Sequence, residues 1–257
     1  MRAELSDRWV RAFVGDVAVV DTRAPLLFWE PDFPVPRYAF DRRDVREDLL
    51  VPATGPPPKE PRFFLPRTPV TQWYDLEVNG RRLAHVAWTS ADPDLAGRLV
   101  LSWQPGLVDR WLEEDEEVSG HPRDPYKRVD ALPSSRHVVV ALDGVVLGET
   151  RSPVLLFETG LPTRYYLPRA DVDLGLLTPT ANRSHCPYKG RADEYWTVTD
   201  RPEARNIAWS YAEPYPAVGR ISGRIAFYNE LVDLTVDGVA QPRPVSIFSV
   251  RAQRPGS

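Results

Sequence analysis

The sequence predicts a mainly β protein that consists of two repeated, small antiparallel β-sheet domains, each with one or two short helices. Three observations predict this fold class. The 257-residue chain contains 27 prolines, which favours many short elements and turns over long helices. Apolar runs flank turn dipeptides that are typical of β-hairpins. The chain also matches itself in three ordered blocks, which indicates an internal duplication.

The duplication can be read directly from the printed sequence. DTRAPLLFWE at residues 21–30 matches ETRSPVLLFE at residues 149–158, an offset of 128. RYAFDRRDVREDLL from Arg37 matches RYYLPRADVDLGLL from Arg164, and VAWTSADPDLAGR from Val86 matches IAWSYAEPYPAVGR from Ile207. A chance similarity of strand-like words would not preserve their order and spacing. We therefore predict two copies of about 125 residues each, which is near the usual size of a domain.

The boundary between the copies is placed by composition. We assign residues 1–132 to copy one and residues 133–257 to copy two. Residues 119–136, SGHPRDPYKRVDALPSSR, are polar and rich in proline, so we interpret them as the linker. We expect the two copies to pack against each other within the chain.

Within each copy, the local signals indicate strands and tight turns. Asp143-Gly144 lies between two apolar runs, and Gly15-Asp16 occupies the same columns of copy one, so we expect a hairpin at both places. Asn79-Gly80 marks the tip of another hairpin. A short helix is expected after Pro168, because proline favours a first helical turn. A second helical turn is expected at residues 92–98.

The composition excludes several classes of protein. The formal net charge is −4, so no broad basic surface is expected to attract nucleic acid. A single cysteine excludes a disulfide framework and a multi-cysteine zinc site, and it favours a reducing compartment. No apolar run approaches the roughly 18 residues of a membrane span, and the N-terminus has no signal-peptide core. We expect a cytoplasmic protein with no membrane partner, and its richness in Arg, Pro, Asp and Ala is typical of high-GC bacterial genes.

Several words of copy two carry a family resemblance. LFETGLPTRYYLPRADV, CPYKGRADEYWTV, NIAWSYAEPYP and GRIAFYNELVDLTVDG follow one another in this order. This ordered set resembles the bacterial domain of unknown function 427, and copy one resembles a diverged member. The resemblance implies a small β domain like a tent of two antiparallel sheets. It implies no established reaction, although the family carries a nucleotidyltransferase-like label. Copy one has PRFFLPRTPVTQWYDL where CPYKG would stand, so chemistry that needs this loop is expected in copy two.

The loop SHCPYKG at residues 184–190 holds the first candidate site residues. Lys189 is a candidate anion-binding group beside Gly190, whose backbone can approach a ligand closely; the alternative is an ordinary surface lysine. Cys186 is a candidate nucleophile or redox centre, because a nearby cation favours the reactive thiolate. The alternative is a buried thiol that packs as a small apolar group.

Two arginine columns add further candidates. Arg151 matches Arg23, and either could grip a carboxylate or phosphate or lock a local turn. Arg164 matches Arg37, and this pair could line a pocket mouth. Alternatively, these two arginines pin the short helices through the acidic residues Asp171 and Asp44.

Aromatic residues surround the candidate loop and could form flat walls for a ring-bearing ligand. Tyr195 and Trp209 have aromatic counterparts in copy one, which favours a core position for this pair. Tyr166 and Tyr211 have none, so we consider them better candidates for ligand contact. The predicted ligand-binding residues are Arg151, Arg164, Tyr166, Lys189, Tyr195, Trp209 and Tyr211.

The nucleotidyltransferase-like label has little support in the residues. Such enzymes need a glycine-rich phosphate loop and carboxylates that hold Mg²⁺. Asp171 and Asp173 are the candidate pair of Mg²⁺-binding carboxylates. Acidic residues at the start of a helix are, however, also favoured by the helix dipole. We expect no cofactor and no metal site, since the four histidines have no ligand spacing.

Three functional hypotheses follow from these residues. In the first, the protein is a pair of binding domains, and the C-terminal copy holds the pocket for an anionic or ring-bearing small molecule. In the second, the protein is an enzyme that uses Cys186 as nucleophile or redox centre. In the third, the duplicated sheets form a protein-interaction module.

Overall fold

The computed structural model describes residues 1–58 and 63–249, so residues 250–257 of the predicted second copy lie outside the described part. The chain divides into two compact units, Met1–Asp124 and Pro125–Ser257. The sequence predicts the boundary between residues 132 and 133. In the structure, the strand Val129–Pro133 pairs with Val154–Glu158, so the predicted linker contains a strand of the second unit.

The N-terminal unit contains a seven-stranded and a four-stranded antiparallel sheet. Its strands are β1 (Arg2–Leu5), β2 (Val10–Val14), β3 (Val17–Thr22), β4 (Leu26–Trp29), β5 (Arg37–Asp41), β6 (Leu50–Pro52), β7 (Val70–Val78), β8 (Arg81–Ser90), β9 (Arg98–Leu101), β10 (Arg110–Glu113) and β11 (Glu116–Glu117). The larger sheet has the order β1-β4-β5-β9-β8-β7-β6, and the smaller has the order β11-β10-β2-β3.

The C-terminal unit repeats this arrangement and adds a small hairpin. Its strands are β12 (Val129–Pro133), β13 (Val138–Leu142), β14 (Val145–Thr150), β15 (Val154–Glu158), β16 (Arg164–Leu167), β17 (Leu177–Thr180), β18 (Ser184–Cys186), β19 (Gly190–Ala192), β20 (Glu194–Val198), β21 (Ala208–Ser210), β22 (Ile225–Phe227), β23 (Asp233–Val236) and β24 (Val239–Gln241). The seven-stranded order is β12-β15-β16-β22-β21-β20-β17, the four-stranded order is β14-β13-β23-β24, and β18 pairs with β19.

The two units share one topology, as the internal repeat predicts. Each strand of one seven-stranded sheet has a counterpart at the same place in the other. The first hairpin of each unit has its register irregularity at the equivalent step, Ala12/Phe13 and Val140/Ala141. The turns of these hairpins use positive φ angles, 56° at Gly15 and 82° at Gly144. Glycine adopts such angles at low cost, and Asp143, which aligns with Gly15, also has a positive φ of 50°, so the turn geometry is retained in both units.

The helical segments of the described residues are short 3₁₀ turns. They are Arg42–Asp44, Glu47–Leu49, Pro93–Leu95, Arg169–Asp171, Leu174–Leu176, Pro202–Ala204 and Pro216–Ile221. The helix predicted after Pro168 is present as two such turns, and the turn predicted at residues 92–98 is present as well. Apolar side chains of the strands form the cores of both units. Among the described residues, no helix has the length and apolar character that crossing a membrane requires.

The acidic residues of these turns bind threonines rather than the arginines Arg37 and Arg164. Thr22 Oγ1 donates to Asp44 at 2.7 Å, and Thr150 Oγ1 donates to Asp171 at 2.5 Å. The two contacts occupy equivalent positions of the repeat. The interpretation that Arg37 and Arg164 pin the short helices through Asp44 and Asp171 is therefore wrong.

Candidate functional site

The candidate loop of the C-terminal unit is the hairpin β18–β19, which lies in the connection between β17 and β20. The backbone N–H of Lys189 donates to the carbonyl of Cys186 at 3.3 Å, which closes the turn. Gly190 follows with a φ of 94°, and a Cβ there would lie 3.5 Å from the carbonyl oxygen of Glu213. The turn is held from outside by Tyr215 N–H, which donates to the Lys189 carbonyl at 3.0 Å. The positive φ favours glycine at position 190, and the loop packs against residues 213–215 at ordinary van der Waals distance.

The central contact of the site is an ion pair between Lys189 Nζ and Glu158 Oε2. Glu158 ends β15 and its side chain is 5% exposed, whereas the Lys189 side chain is 13% exposed. Lys127 Nζ also approaches Glu158, at 3.5 Å from Oε1, and its side chain is 21% exposed. Lys127 lies 5.7 Å from the ring centre of Tyr188 as well. One largely buried carboxylate therefore has two ammonium groups beside it.

The predicted aromatic residues are brought together, but as part of a packed core. Tyr166, Tyr195, Trp209 and Tyr211 belong to one buried cluster. Trp209 Nε1 donates to Tyr166 Oη at 3.2 Å, and the Ser184 and Tyr195 hydroxyls are 2.6 Å apart. These polar atoms are satisfied inside the protein. The four rings are therefore buried core side chains and do not form open walls of a pocket.

The electrostatic surroundings fix the charge of these groups at neutral pH. Burial raises the pKa of Tyr166 to about 12, and burial also raises the pKa of Tyr211 well above its usual value. For Lys189, burial acts to lower the pKa, but the nearby Cys186 and Glu158 raise it more, so the net shift is upward. Both tyrosines are therefore neutral phenols, and Lys189 is a stable cation.

The remaining predicted site residues have different surroundings. Arg164 forms a buried pair with Glu230, with Nη1–Oε2 and Nη2–Oε1 distances of 2.6 and 2.8 Å. Its guanidinium also lies 5.8 Å from the ring centre of Trp209. Arg151 is exposed in the turn between β14 and β15. Cys186 is a partly buried free thiol, and it lies in the same tight turn as Lys189, whose backbone N–H donates to the Cys186 carbonyl.

In the N-terminal unit, the carboxylate equivalent to Glu158 has different binding partners. There, the connection from β6 to β7 spans residues 53–69 and replaces the CPYKG hairpin. Glu30 matches Glu158, and it accepts hydrogen bonds from Thr68 N–H at 2.9 Å and Thr68 Oγ1 at 2.8 Å. Its charge is balanced by Arg37, whose Nε lies 2.6 Å from Glu30 Oε2. Gln104 stands where the C-terminal unit has Glu230, so Arg37 pairs with a carboxylate that follows β4, whereas Arg164 pairs with one in the connection between β22 and β23.

The acidic pair that a metal-dependent transferase would need has structural contacts instead. Asp171 binds Thr150, and Asp173 Oδ1 accepts the Gly175 N–H at 3.0 Å. Among residues 1–58 and 63–249, no group of three or more His, Cys, Asp or Glu side chains could hold a metal ion.

Three contact residues were missed by the sequence reasoning. Lys127 lies in the predicted linker, and neither Glu158 nor Glu230 is among the predicted site residues. One signal was available, since Pro-Tyr-Lys occurs at residues 125–127 and again at 187–189. These words contain two of the three lysines of the chain, and both lysines reach the same carboxylate.

Comparison with known proteins agrees with the repeated fold. No curated protein gives a significant match to the chain. The sequence profile of a family described as a domain of unknown function, DUF427, matches residues 2–114 and again residues 130–238. The two matches fall on the two halves of the repeat and together cover most of the chain. The chain therefore belongs to the DUF427 family and contains two copies of its domain.

Proposed function

We propose that the protein is a small-molecule-binding protein whose C-terminal unit binds an anionic ligand at Lys127 and Lys189. The observation that carries the proposal is the charge imbalance at Glu158. One carboxylate neutralises one of the two ammonium groups and leaves one positive charge in a largely buried place. A buried charge is costly unless it is paired, so this arrangement favours a second anion. Glu230 is not available to neutralise the second lysine, because it already pairs with Arg164.

The exposed side of this cluster suggests the chemistry of the ligand. Lys127 is the more accessible ammonium group, and the partly buried ring of Tyr188 lies beside it. An ammonium group is a compact charge that suits a carboxylate or a phosphate. An aromatic face next to it suits a ring that carries such a group. The proposed ligand class is thus a small carboxylate or phosphate compound, with a ring as an additional contact.

A titration of the lysine ammonium groups tests this proposal. Because the chain has just three lysines, ¹H–¹⁵N spectra of the side-chain ammonium groups are simple to assign by substitution. The probes are inorganic phosphate, benzoate, nicotinate and AMP, each added to the full-length protein. We expect at least one probe to shift the Lys127 and Lys189 resonances and to raise the melting temperature.

Matched variants separate this site from general charge effects. Lys127→Met should weaken binding of such a probe about ten-fold or more, since it removes a charge-assisted contact. Arg128→Met removes a neighbouring exposed cation that pairs with Asp130 and should leave the affinity unchanged. If no probe stabilises the protein, or if both variants bind equally well, the anion site is wrong.

A second candidate function is an enzyme that uses the Cys186 thiol, and the proximity of Lys189 favours it. A thiolate is the nucleophilic form of cysteine, and an ammonium group stabilises a thiolate. Since Cys186 is the single cysteine, one added carbamidomethyl group in a mass spectrum reports its reaction alone. We expect iodoacetamide to modify the native protein at pH 7 faster than it modifies Lys189→Met. Modification only after unfolding, with no difference between the two proteins, would remove this candidate.

A further inference from the structure

The N-terminal unit contains a cleft that the proposed anion site does not involve. Its volume is about 580 Å³, and it lies beside the connection from β6 to β7. Four prolines form much of its wall, Pro56, Pro57, Pro58 and Pro66, together with the ring of Trp73 and the exposed Thr71. The described residues that line it carry no formal charge. Such a cleft is large enough for a bicyclic ring system and selects against charged molecules.

A small polar recess of about 10 Å³ lies next to this cleft and shares Pro57, Leu65 and Trp73 with it. His85 and Gln104 line the recess. Both ring nitrogens of His85 and the Oε1 atom of Gln104 are buried and have no hydrogen-bond partner within the described ranges. Leaving such atoms unpaired costs free energy, so a partner from outside the chain is expected.

The repeat demonstrates that the fold itself does not require these two polar groups. His85 and Asn206 occupy the same position, with φ angles of 54° and 53°. Their backbone N–H groups donate to equivalent residues, Asp75 at 2.8 Å and Thr197 at 3.1 Å. In the C-terminal unit the side chain is satisfied internally, because Asn206 Oδ1 accepts from Thr180 Oγ1 at 2.7 Å.

The counterpart of Gln104 is Glu230, whose carboxylate is satisfied internally by hydrogen bonds from Arg164 and Ser246. His85 and Gln104 are therefore specific to the N-terminal copy. Trp73, whose ring centre lies 6.0 Å from that of His85, places an aromatic face beside them.

The wall of the cleft is held in place before any ligand arrives. Arg37 donates hydrogen bonds to the carbonyls of Phe64 and Leu65, each at 2.9 Å. Its partner Glu30 accepts the backbone N–H groups of Arg67 and Thr68 at 2.8 and 2.9 Å. A preformed wall lowers the ordering cost of binding. The buried ion pair thus shapes the cleft although it does not line it.

We propose that this cleft is a second binding site, which takes an uncharged, flat heteroaromatic molecule. The ring stacks on Trp73 between the prolines, and its polar edge faces His85 and Gln104. The site is independent of Lys127 and Lys189, so the two copies bind ligands of different charge. The N-terminal copy is then a functional domain with its own specificity.

Saturation-transfer NMR and calorimetry on the full-length protein, with indazole and adenine as probes, test this assignment. His85→Asn removes the imidazole and inserts the residue that the C-terminal copy accepts at the same backbone angle. We expect it to weaken binding about ten-fold, the effect of one well-formed hydrogen bond. Thr71→Trp fills the cleft from an exposed position and should abolish binding.

A matched control and a charged analogue complete the design. Thr178→Trp changes an exposed threonine that pairs with Thr199 at 3.0 Å, as Thr71 pairs with Thr89 at 2.8 Å, and it should leave binding intact. The charged analogue indazole-3-carboxylate should not bind in the cleft. Any binding that it shows elsewhere on the protein should therefore be unchanged in Thr71→Trp. The proposal is overturned if neither neutral probe binds, if Thr71→Trp and His85→Asn bind as tightly as wild type, or if soaked crystals hold only a water between His85 and Gln104.

Discussion

Replacing Arg37 by methionine is expected to destabilise the N-terminal unit by about 3–5 kcal/mol, the usual cost of breaking a buried ion pair. The side chains of Arg37 and Glu30 are 1% and 0% exposed. Burial lowers the pKa of Arg37 to about 10, while Glu30 opposes that shift, so Arg37 is a cation at neutral pH. The substitution leaves the Glu30 carboxylate without its counter-ion and two buried carbonyls without a donor. Urea unfolding gives the free energy, and hydrogen exchange with mass spectrometry assigns the loss to peptides of residues 1–124.

The matched control for this variant is Arg42→Met. Arg42 also binds a carboxylate through two nitrogens, at 2.8 and 2.6 Å from Glu47, but both of these side chains are 39% exposed. Exposed pairs contribute at most about 1 kcal/mol, so the control should change the stability little. The double variant Arg37→Met/Glu30→Gln should recover part of the loss, because it removes the unpaired charge. A loss with Arg37→Met that is no larger than the loss with Arg42→Met would contradict the role given to the buried pair.

A second large effect is expected for Glu230→Gln, which gives the C-terminal unit the residue that the N-terminal unit has at this position. The Glu230 side chain is fully buried and accepts two hydrogen bonds from Arg164 and one from Ser246. The amide leaves the Arg164 cation buried without a counter-ion. We expect a loss of about 3–5 kcal/mol at pH 7, measured by urea unfolding.

This second effect should depend on pH in a defined direction. Burial acts to raise the pKa of Glu230, but the hydrogen bonds from Arg164 and Ser246 outweigh it, and the net shift is downward from 4.5. A carboxyl group with a lowered pKa in the folded state stabilises the fold above its unfolded pKa, and this contribution is lost as the pH falls through the folded value. The difference between wild type and Glu230→Gln should therefore narrow below about pH 4.5.

The control for Glu230→Gln is Glu194→Gln. Glu194 also accepts two bonds from one arginine, Arg169, at 2.7 and 3.0 Å, but the side chains of Arg169 and Glu194 are 43% and 39% exposed. Glu194→Gln should lower the free energy of unfolding by less than about 1 kcal/mol at pH 7. Two results would be evidence against a charged buried pair. One is a loss of unfolding free energy in Glu230→Gln that stays constant from pH 7 to pH 3. The other is a loss no larger than that of Glu194→Gln.

The candidate sites could be predicted from the sequence only in part. Lys189, Tyr166 and Tyr211 were recognised because they lack counterparts in copy one; the structure pairs Lys189 with Glu158 and places both tyrosines in one buried cluster of the same unit. Arg151 was recognised by the same column analysis, yet it is exposed in a turn. A shared column records that a residue type was retained, and it does not reveal which way the side chain points.

No motif and no repeat column of the sequence predicts the neutral cleft. The proline-rich connection aligns with no word of copy two, and His85 and Gln104 are ordinary polar residues in the printed sequence. Their interest arises from burial without partners, which is a property of the packed unit. Trp88 Nε1 is a related case, because Ala39 stands where Tyr166 supplies the acceptor to Trp209.

The sequence alone determined the duplication, the mainly β class and the positions of the tight turns, because strand periodicity, turn dipeptides and repeats are local signals. Only the tertiary structure decided which cation meets which carboxylate. Glu30 and Glu158 share a column, as do Arg37 and Arg164, yet Arg37 pairs with Glu30 whereas Arg164 pairs with Glu230. Arg164 and Glu230 are 66 residues apart in the chain, and Lys189 and Glu158 are 31 apart. Burial and geometry set the free energy of such pairs, and both arise only when distant strands pack together.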